Sequence, residues 1–180
     1  RPIKGTGIVA ANMATTGTLE LAREMQKQHL MSALHKHYSA DELIGFLKAN
    51  AQEFGSNDLL FVSSGVSDAD FDKLCTVLNS GLIQNVCVDV ANGYSPYLIN
   101  YVRKVRAAYP KVLLMAGNVV TGDMCEDLLL NGADIVKVGI GPGSVCTTRK
   151  LTGVGRPQFS TVIECADAAH GVGGMICADG

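Results

Sequence analysis

An excess of positive charge is the first thing this chain lacks. Its 15 Lys and Arg stand against 17 Asp and Glu, a formal net charge of −2 over 180 residues. No basic face is available to follow a phosphate backbone, so nucleic-acid binding is unsupported. Long apolar runs are missing as well: no stretch approaches the ~20 residues that span a bilayer, and the opening residues show no signal-peptide pattern. The expectation is a cytoplasmic protein with no membrane partner. Cys-x-x-Cys pairs are absent, although there are six cysteines, at 75, 87, 125, 146, 165 and 177. They fall mainly inside apolar helix or strand patterns, which argues for reduced, intracellular thiols rather than a disulfide framework. His35 and His37 alternate on one face of an expected strand. No other ligand cluster accompanies them, so a zinc site there has little support.

Glycine, at 20 residues, is plentiful, as many short strand–helix turns require. Between such turns the apolar residues follow two periods. Short runs at 8–13, 30–37, 59–65, 85–91, 111–118, 134–138 and 175–179 read as strands. Helical spacing links Leu19, Leu21, Ala22 and Met25. It recurs in Leu43, Ile44 and Leu47 behind a Ser39/Glu42 capping box, and in Phe71, Leu74, Val77 and Leu78 before Gly81. Ser95-Pro96 opens a helix that runs to about Tyr109. Thr121 caps one with Met124, Cys125, Leu128 and Leu129, stopped by Gly132. Phe159-Ser160-Thr161 begins the last, with Val162, Ile163, Cys165, Ala166 and Ala169.

Seven strands and six helices at a period of roughly 25 residues are the rhythm of a parallel α/β sheet. A doubly wound sheet and a (β/α)8 barrel share that rhythm. The regularity of the repeat favours the barrel. So do the polar or reactive residues that recur at strand C-terminal ends: Asn12, Lys36, Ser63, Ser64, Asp89, Asn118 and Asp179. A barrel gathers its strand ends on one face, where its active site is built, whereas an open sheet spreads them along an edge. The expected fold is α/β, an incomplete (β/α)8 TIM barrel with about seven of the eight strands present. Residues 1–180 are expected to form a single partial domain without the last strand and helices. An unclosed barrel exposes edge strands, so the isolated chain is expected to behave poorly.

The strand Asp134-Ile135-Val136-Lys137-Val138 leads into Gly139-Ile140-Gly141-Pro142-Gly143-Ser144-Val145-Cys146-Thr147-Thr148-Arg149. A β-branched run that stops at three glycines and a proline is a buried strand entering a tight loop. Glycine lets backbone groups approach a ligand with no Cβ in the way. Cys146 lies among Ser144, Thr147, Thr148 and Arg149, and hydroxyl donors and positive charge favour the thiolate, which is the reactive form. Most cysteines are inert packing, and that is the reading for the other five. The glycine-rich loop sets Cys146 apart as the candidate nucleophile.

With its surroundings, this loop resembles the family of GMP reductases and IMP dehydrogenases, purine-nucleotide (β/α)8 barrels. The resemblance covers essentially the whole chain. It is carried by His35-Lys36-His37-Tyr38-Ser39, by Asp89-Val90-Ala91-Asn92-Gly93-Tyr94-Ser95 and by Ala116-Gly117-Asn118-Val119-Val120-Thr121-Gly122. The loop 141–149 and the helix Glu164-Cys165-Ala166-Asp167-Ala168-Ala169-His170-Gly171 complete it. These stretches look like the reductase branch; the dehydrogenase branch usually shows Ser-Gly-Ser-Ile-Cys-Ile-Thr at the loop and Gln-Gly-Asn after its aspartate-containing strand.

The resemblance implies that Cys146 would attack carbon 2 of the guanine ring of GMP and ammonia would leave. NADPH would deliver a hydride to the covalent thioimidate, and IMP would be released. Thr148 would join the proton transfer that departing ammonia requires. Its partner in the family, a glutamate, would lie C-terminal to Gly180, so the chain is expected to lack the full catalytic machinery. Lys36, Asp89, Val90, Ala91, Ile140 and Gly141 would contact the nicotinamide cofactor. Ser144 would help to hold the nucleotide phosphate. Asp179 would accept from the ribose hydroxyls, as an acceptor-only carboxylate suits, with Gly180 allowing close approach. Carbonyls of Gly141, Gly143 and Cys146, with Arg149 contributing, would hold K⁺. A homo-oligomer, a tetramer, is implied on the same ground.

Read without the family, Lys36 is also a solvated strand-end lysine, and Asp89 and Asp179 are loop caps. Two other functions share the loop: an NAD-dependent IMP dehydrogenase that oxidises IMP to XMP, and a nucleotide-binding barrel without turnover. The chain departs from the family pattern at Ala14, where an aspartate is usual, at Thr16, where Val is common, and at Arg156, where a tyrosine usually precedes Pro157. In the family the loop around Arg156 covers the reacting base, so that change bears on its closure.

Overall fold

Strands and helices alternate along residues 3–180, which the computed structural model describes. The chain divides into two compact units. The first runs to Cys87 and includes Lys111–Leu113; the second comprises Val88–Pro110 and Leu114–Gly180. The first unit holds β1 (Val9–Ala10), α1 (Leu19–Lys27), β2 (Met31–Leu34), α2 (Ala40–Phe54), β3 (Leu60–Ser64) and α3 (Asp68–Asn79). β4 (Asn85–Asp89) passes from the first unit into the second. There follow α4 (Pro96–Ala108), β5 (Leu113–Val119), α5 (Gly122–Leu130), β6 (Ile135–Val138), α6 (Thr148–Thr152), α7 (Gln158–Gly171) and β7 (Met175–Ala178).

In the first unit β1, β2 and β3 pair in parallel, with Val9 opposite Met31 and Leu34 opposite Val62. In the second, Val90, just past β4, exchanges backbone hydrogen bonds of 2.9 Å with Gly117 and Asn118. Met115 lies opposite Ile135, and Ile135 opposite Met175. Within each unit, strand order follows chain order. The wall of a (β/α)8 barrel keeps that order from strand to strand. The fold is α/β of the barrel type, with seven strands among the described residues.

The strands read as apolar runs because helices cover them: every residue of β2, β3, β5 and β6 is buried. Leu34, Leu47, Phe61 and Val77 fill the core of the first unit, and Leu98, Leu114, Leu128 and Val136 that of the second. Ser39 and Glu42 form the expected capping box, and Ser67 with Asp70 forms another at the start of α3. In the second unit Arg106 binds Asp134 at 2.6 Å and the Gly132 carbonyl at 2.8 Å, while the same Asp134 oxygen takes the Leu114 N–H at 2.8 Å. These side chains are only 19% and 14% exposed. Arg106→Met leaves a largely buried carboxylate without its cation. The expected cost is roughly 2 kcal/mol once residual exposure is discounted, read as a lower denaturant midpoint.

Three local expectations change. The first strand is two residues long rather than 8–13. β2 stops at Leu34, and His35, Lys36 and His37 belong to the turn that follows. The two histidines therefore do not share a strand face. His35 instead stacks on Tyr38 at 3.9 Å between ring centroids. A seventh helix, α6, is present; at five residues it is too short to show a period in the sequence.

Candidate active site

The second unit gathers a polar cluster at its strand ends. Asp89 closes β4, Asn118 lies near the end of β5, Lys137 is in β6 and Asp179 follows β7. Lys137 Nζ lies 3.0 Å from Asp89 Oδ1 and 3.1 Å from Asp179 Oδ2. Asn118 Nδ2 donates to the same Asp179 oxygen at 2.6 Å and to the Gly139 carbonyl at 2.7 Å. A bulge aims Asn118 at them: Gly117 pairs with Lys137 and Val119 with Val138, so Asn118 is the extra residue. Gly139, at φ +137°, lets β6 and β7 end side by side, since a Cβ there would collide with the Asp179 backbone oxygen and the Gln158 amide. Gln158 Nε2 then ties the two ends, donating to Val138 O at 2.9 Å and Asp179 O at 3.2 Å.

The loop past β6 presents the thiol. Cys146 N–H closes a turn onto the Gly143 carbonyl at 3.1 Å, and Cys146 Sγ lies 3.3 Å from Thr148 Oγ1. The Thr148 hydroxyl lowers the Cys146 thiol below its ordinary pKa, and the Thr148 N–H and the Arg149 charge add to this. Cys125 and Cys165 are buried. The Cys125 thiol is pushed up, first by its hydrogen bond with Cys165 and then by burial. Burial also pushes the Cys177 thiol up. Cys165 is lowered by that same bond but has no exposed surface. Among the described cysteines, a depressed thiol and access to solvent coincide at Cys146.

At neutral pH, Cys146 is therefore expected to be alkylated by iodoacetamide ahead of the buried cysteines. Its rate falls as pH drops through the lowered pKa. Thr148→Val removes the hydroxyl and moves that acid limb to higher pH. Peptide mass spectrometry against pH reads both; uniform labelling of the thiols, or an unmoved limb, contradicts the assignment.

The rest of the loop is fastened at its far end. Gly141, at φ +63°, leaves room for the Arg149 side chain, whose Cγ would stand 2.7 Å from a Cβ there. Arg156 donates to Val120 O at 3.0 Å and pairs with Glu164 at 2.6 Å. Glu164 in turn accepts the Gly122 N–H at 2.9 Å. Glu164 thus caps α5 from another helix, while Thr121, the residue expected to cap it, makes no cap bond and instead meets Tyr94 Oη at 2.8 Å. The Gly122 N–H first, and Arg156 next, hold the Glu164 carboxyl below its usual range. Arg156, a departure from the family pattern, serves here as an anchor of the return leg.

The structure brings Asp89 and Asp179 together on Lys137, and Cys146 together with Thr148. Val90 is half-buried and Ala91 exposed, so the segment after β4 is open to a ligand. Ile140 and Gly141 are buried, and the Ile140 carbonyl takes the Arg156 N–H at 3.3 Å. Ile140 can therefore offer a cofactor its main chain only. Ser144 and Gly180 are exposed. Lys36 belongs to the first unit, half-buried, its carbonyl receiving the Lys73 ammonium. Ala14 is exposed, and Thr16 donates to Ala11 O at 2.8 Å.

For a metal, no group of three His, Cys, Asp or Glu occurs among the described residues. The Gly143 carbonyl keeps a second lone pair after receiving Cys146 N–H. Main-chain oxygens of this kind suit a hard cation rather than zinc. Sequence reasoning passed over Lys137. The signal was a lysine inside a buried parallel strand, which requires a partner.

A family model described as "IMP dehydrogenase / GMP reductase domain" matches residues 5–180. The GMP reductases of Aliivibrio salmonicida and Photobacterium profundum are each 54% identical over 182 residues, covering 100% of this chain and 52% of theirs. The GMP reductase of Salmonella typhi is 55% identical over 177 residues, covering 98% of this chain and 50% of its own. The chain spans about half the length of the curated relatives it matches.

Proposed function

This chain belongs to the IMP dehydrogenase / GMP reductase domain family, and from that premise we propose that the protein it represents is a GMP reductase, an oxidoreductase that converts GMP to IMP and ammonia with NADPH. The observation that carries the reading is a depressed, accessible thiol at Cys146, 3.3 Å from the Thr148 hydroxyl, on the glycine-rich loop after β6.

Cys146 attacks C2 of the guanine base as the thiolate. The C2–N bond breaks, and the amino group leaves with a proton as ammonia, giving a thioimidate between sulfur and the base. A ring amine is a poor leaving group, and the covalent step divides one difficult displacement into two easier ones. Thr148 would pass the proton, since its hydroxyl accepts from the Cys146 thiol and can donate to the thiolate. When the sulfur later leaves C2, it returns as the thiolate that Thr148 and Arg149 favour. Across the whole reaction GMP, NADPH and two protons become IMP, NADP⁺ and ammonium.

Asp89, Val90, Ala91 and the main chain of Ile140 and Gly141 would hold the nicotinamide cofactor, which supplies the hydride that takes the amino group's place. Asp179 accepts from the ribose hydroxyls, with Gly180 beside it, and Ser144 binds the phosphate. Carbonyls of Gly141, Gly143 and Cys146, with Arg149, would hold K⁺, whose part is to order the loop. No helix among the described residues is long and apolar enough to cross a membrane. In this reading the protein works in the cytoplasm as a homotetramer.

The test is to incubate the complete protein with GMP and NADPH. Consumption of NADPH with equal formation of IMP and ammonia is expected. Absence of that turnover together with conversion of IMP and NAD⁺ to XMP replaces the reading with the dehydrogenase. Absence of both, with no adduct at Cys146 from an electrophilic purine nucleotide, leaves a nucleotide-binding barrel without chemistry.

A further inference from the structure

Lys137 is the charged residue of the strand-end cluster to which the proposed reaction assigns no part. It is 8% exposed, and a buried ammonium is costly unless paired and hydrogen-bonded. Here it contacts two carboxylates, Asp89 through Oδ1 and Asp179 through Oδ2. Asn118 Nδ2 reaches Asp179 through Oδ2 as well. Two donors on one oxygen fix the rotation of the Asp179 carboxyl, which is otherwise a broad, roughly two-fold torsion. Its other oxygen, Oδ1, has no donor among the described residues, in a side chain that is 32% exposed.

We propose that Lys137 is a positioning residue for nucleotide recognition. With Asn118 it holds Oδ2 of Asp179 inward and presents Oδ1 to the ribose hydroxyls. Its second contact, to Asp89, ties that orientation to the carboxylate assigned to the cofactor. The inference rests on the roles given above to Asp179 and Asp89. Lysine suits the task because three donors on one small head can serve both carboxylates at once. A lysine needed only to neutralise burial would not affect which nucleotide binds, whereas one that aims an acceptor sets the preference for a hydroxyl over its absence.

The experiment compares equilibrium binding of GMP and 2′-deoxy-GMP to the complete protein by calorimetry, for the wild type, Lys137→Met and Lys137→Arg. One charge-assisted hydrogen bond corresponds to a wild-type preference for GMP of about 10- to 100-fold. That ratio is expected to fall to within about 3-fold in Lys137→Met and to recover in part in Lys137→Arg, which keeps the charge. If Lys137→Met fails to fold, Lys137→Gln, which keeps two N–H donors without the charge, is expected to give an intermediate ratio. A wild-type ratio in either folded neutral variant overturns the proposal, as does a wild type that binds both nucleotides equally. Turnover of GMP by the wild type is scored separately. Its absence defeats the reductase reading, while the binding ratio still decides the role of Lys137.

Discussion

Cys146→Ser in the complete protein is expected to lower GMP-dependent NADPH oxidation by on the order of 10³-fold, about 4 kcal/mol of barrier. The substitution changes one atom, and the physics lies in which protonation state is available. The Thr148 hydroxyl, the Thr148 N–H and the Arg149 charge bring the thiol below its ordinary pKa. A serine hydroxyl starts far higher, beyond the reach of the same three influences. No histidine or carboxylate is hydrogen-bonded to Cys146 among the described residues to act as its base. GMP affinity is expected to stay within a few-fold, because the ribose and phosphate contacts proposed above fall to other side chains, Asp179 and Ser144. Steady-state kinetics and calorimetry check both parts. Retention of more than a tenth of the activity removes Cys146 as the nucleophile.

Asp179→Asn is expected to lower kcat/KM for GMP by about 10- to 100-fold, mostly through KM, for the loss of one charge-assisted hydrogen bond. The carboxylate takes Asn118 and Lys137 on Oδ2, and in the proposed site its Oδ1 would accept from the ligand. An amide has a single accepting oxygen. Turned inward, it satisfies Asn118 and Lys137 but offers its NH₂ to hydroxyls that need an acceptor. Turned outward, it serves the ligand but sets an NH₂ against a buried ammonium, which costs stability as well. KM for GMP and thermal melting, measured on the same preparation, read the two arrangements apart. An unchanged KM removes Asp179 from the nucleotide site.

Both expectations depend on groups of which the sequence shows only part. Cys146 is legible because its signal is local: a β-branched strand, three glycines and a thiol among hydroxyls occupy adjacent positions. The Ser39/Glu42 box is legible for the same reason, being a three-residue spacing with a single geometry. Lys137 is not. In sequence it is one polar residue in a buried strand, and its partners lie 48 and 42 positions away. The Glu164 cap on α5 is hidden in the same way, because an orphan helix N–H accepts any acceptor that packing brings near. The nearby Thr121 looks like the cap and is engaged elsewhere.

Sequence by itself determined the alternation of strand and helix and the barrel type of the fold, and it singled out the glycine-rich loop of Cys146 as the candidate site. Each of these follows from periods and turn chemistry that act within a few residues. Tertiary structure alone decided that two carboxylates share one ammonium, that a bulge turns Asn118 toward them, and that Arg156 anchors the loop to Glu164 and Val120. The physical reason is that parallel strands place in register residues that the chain separates by a whole helix. A charge buried at those ends finds its partner across the sheet, and no pattern along the chain records that distance.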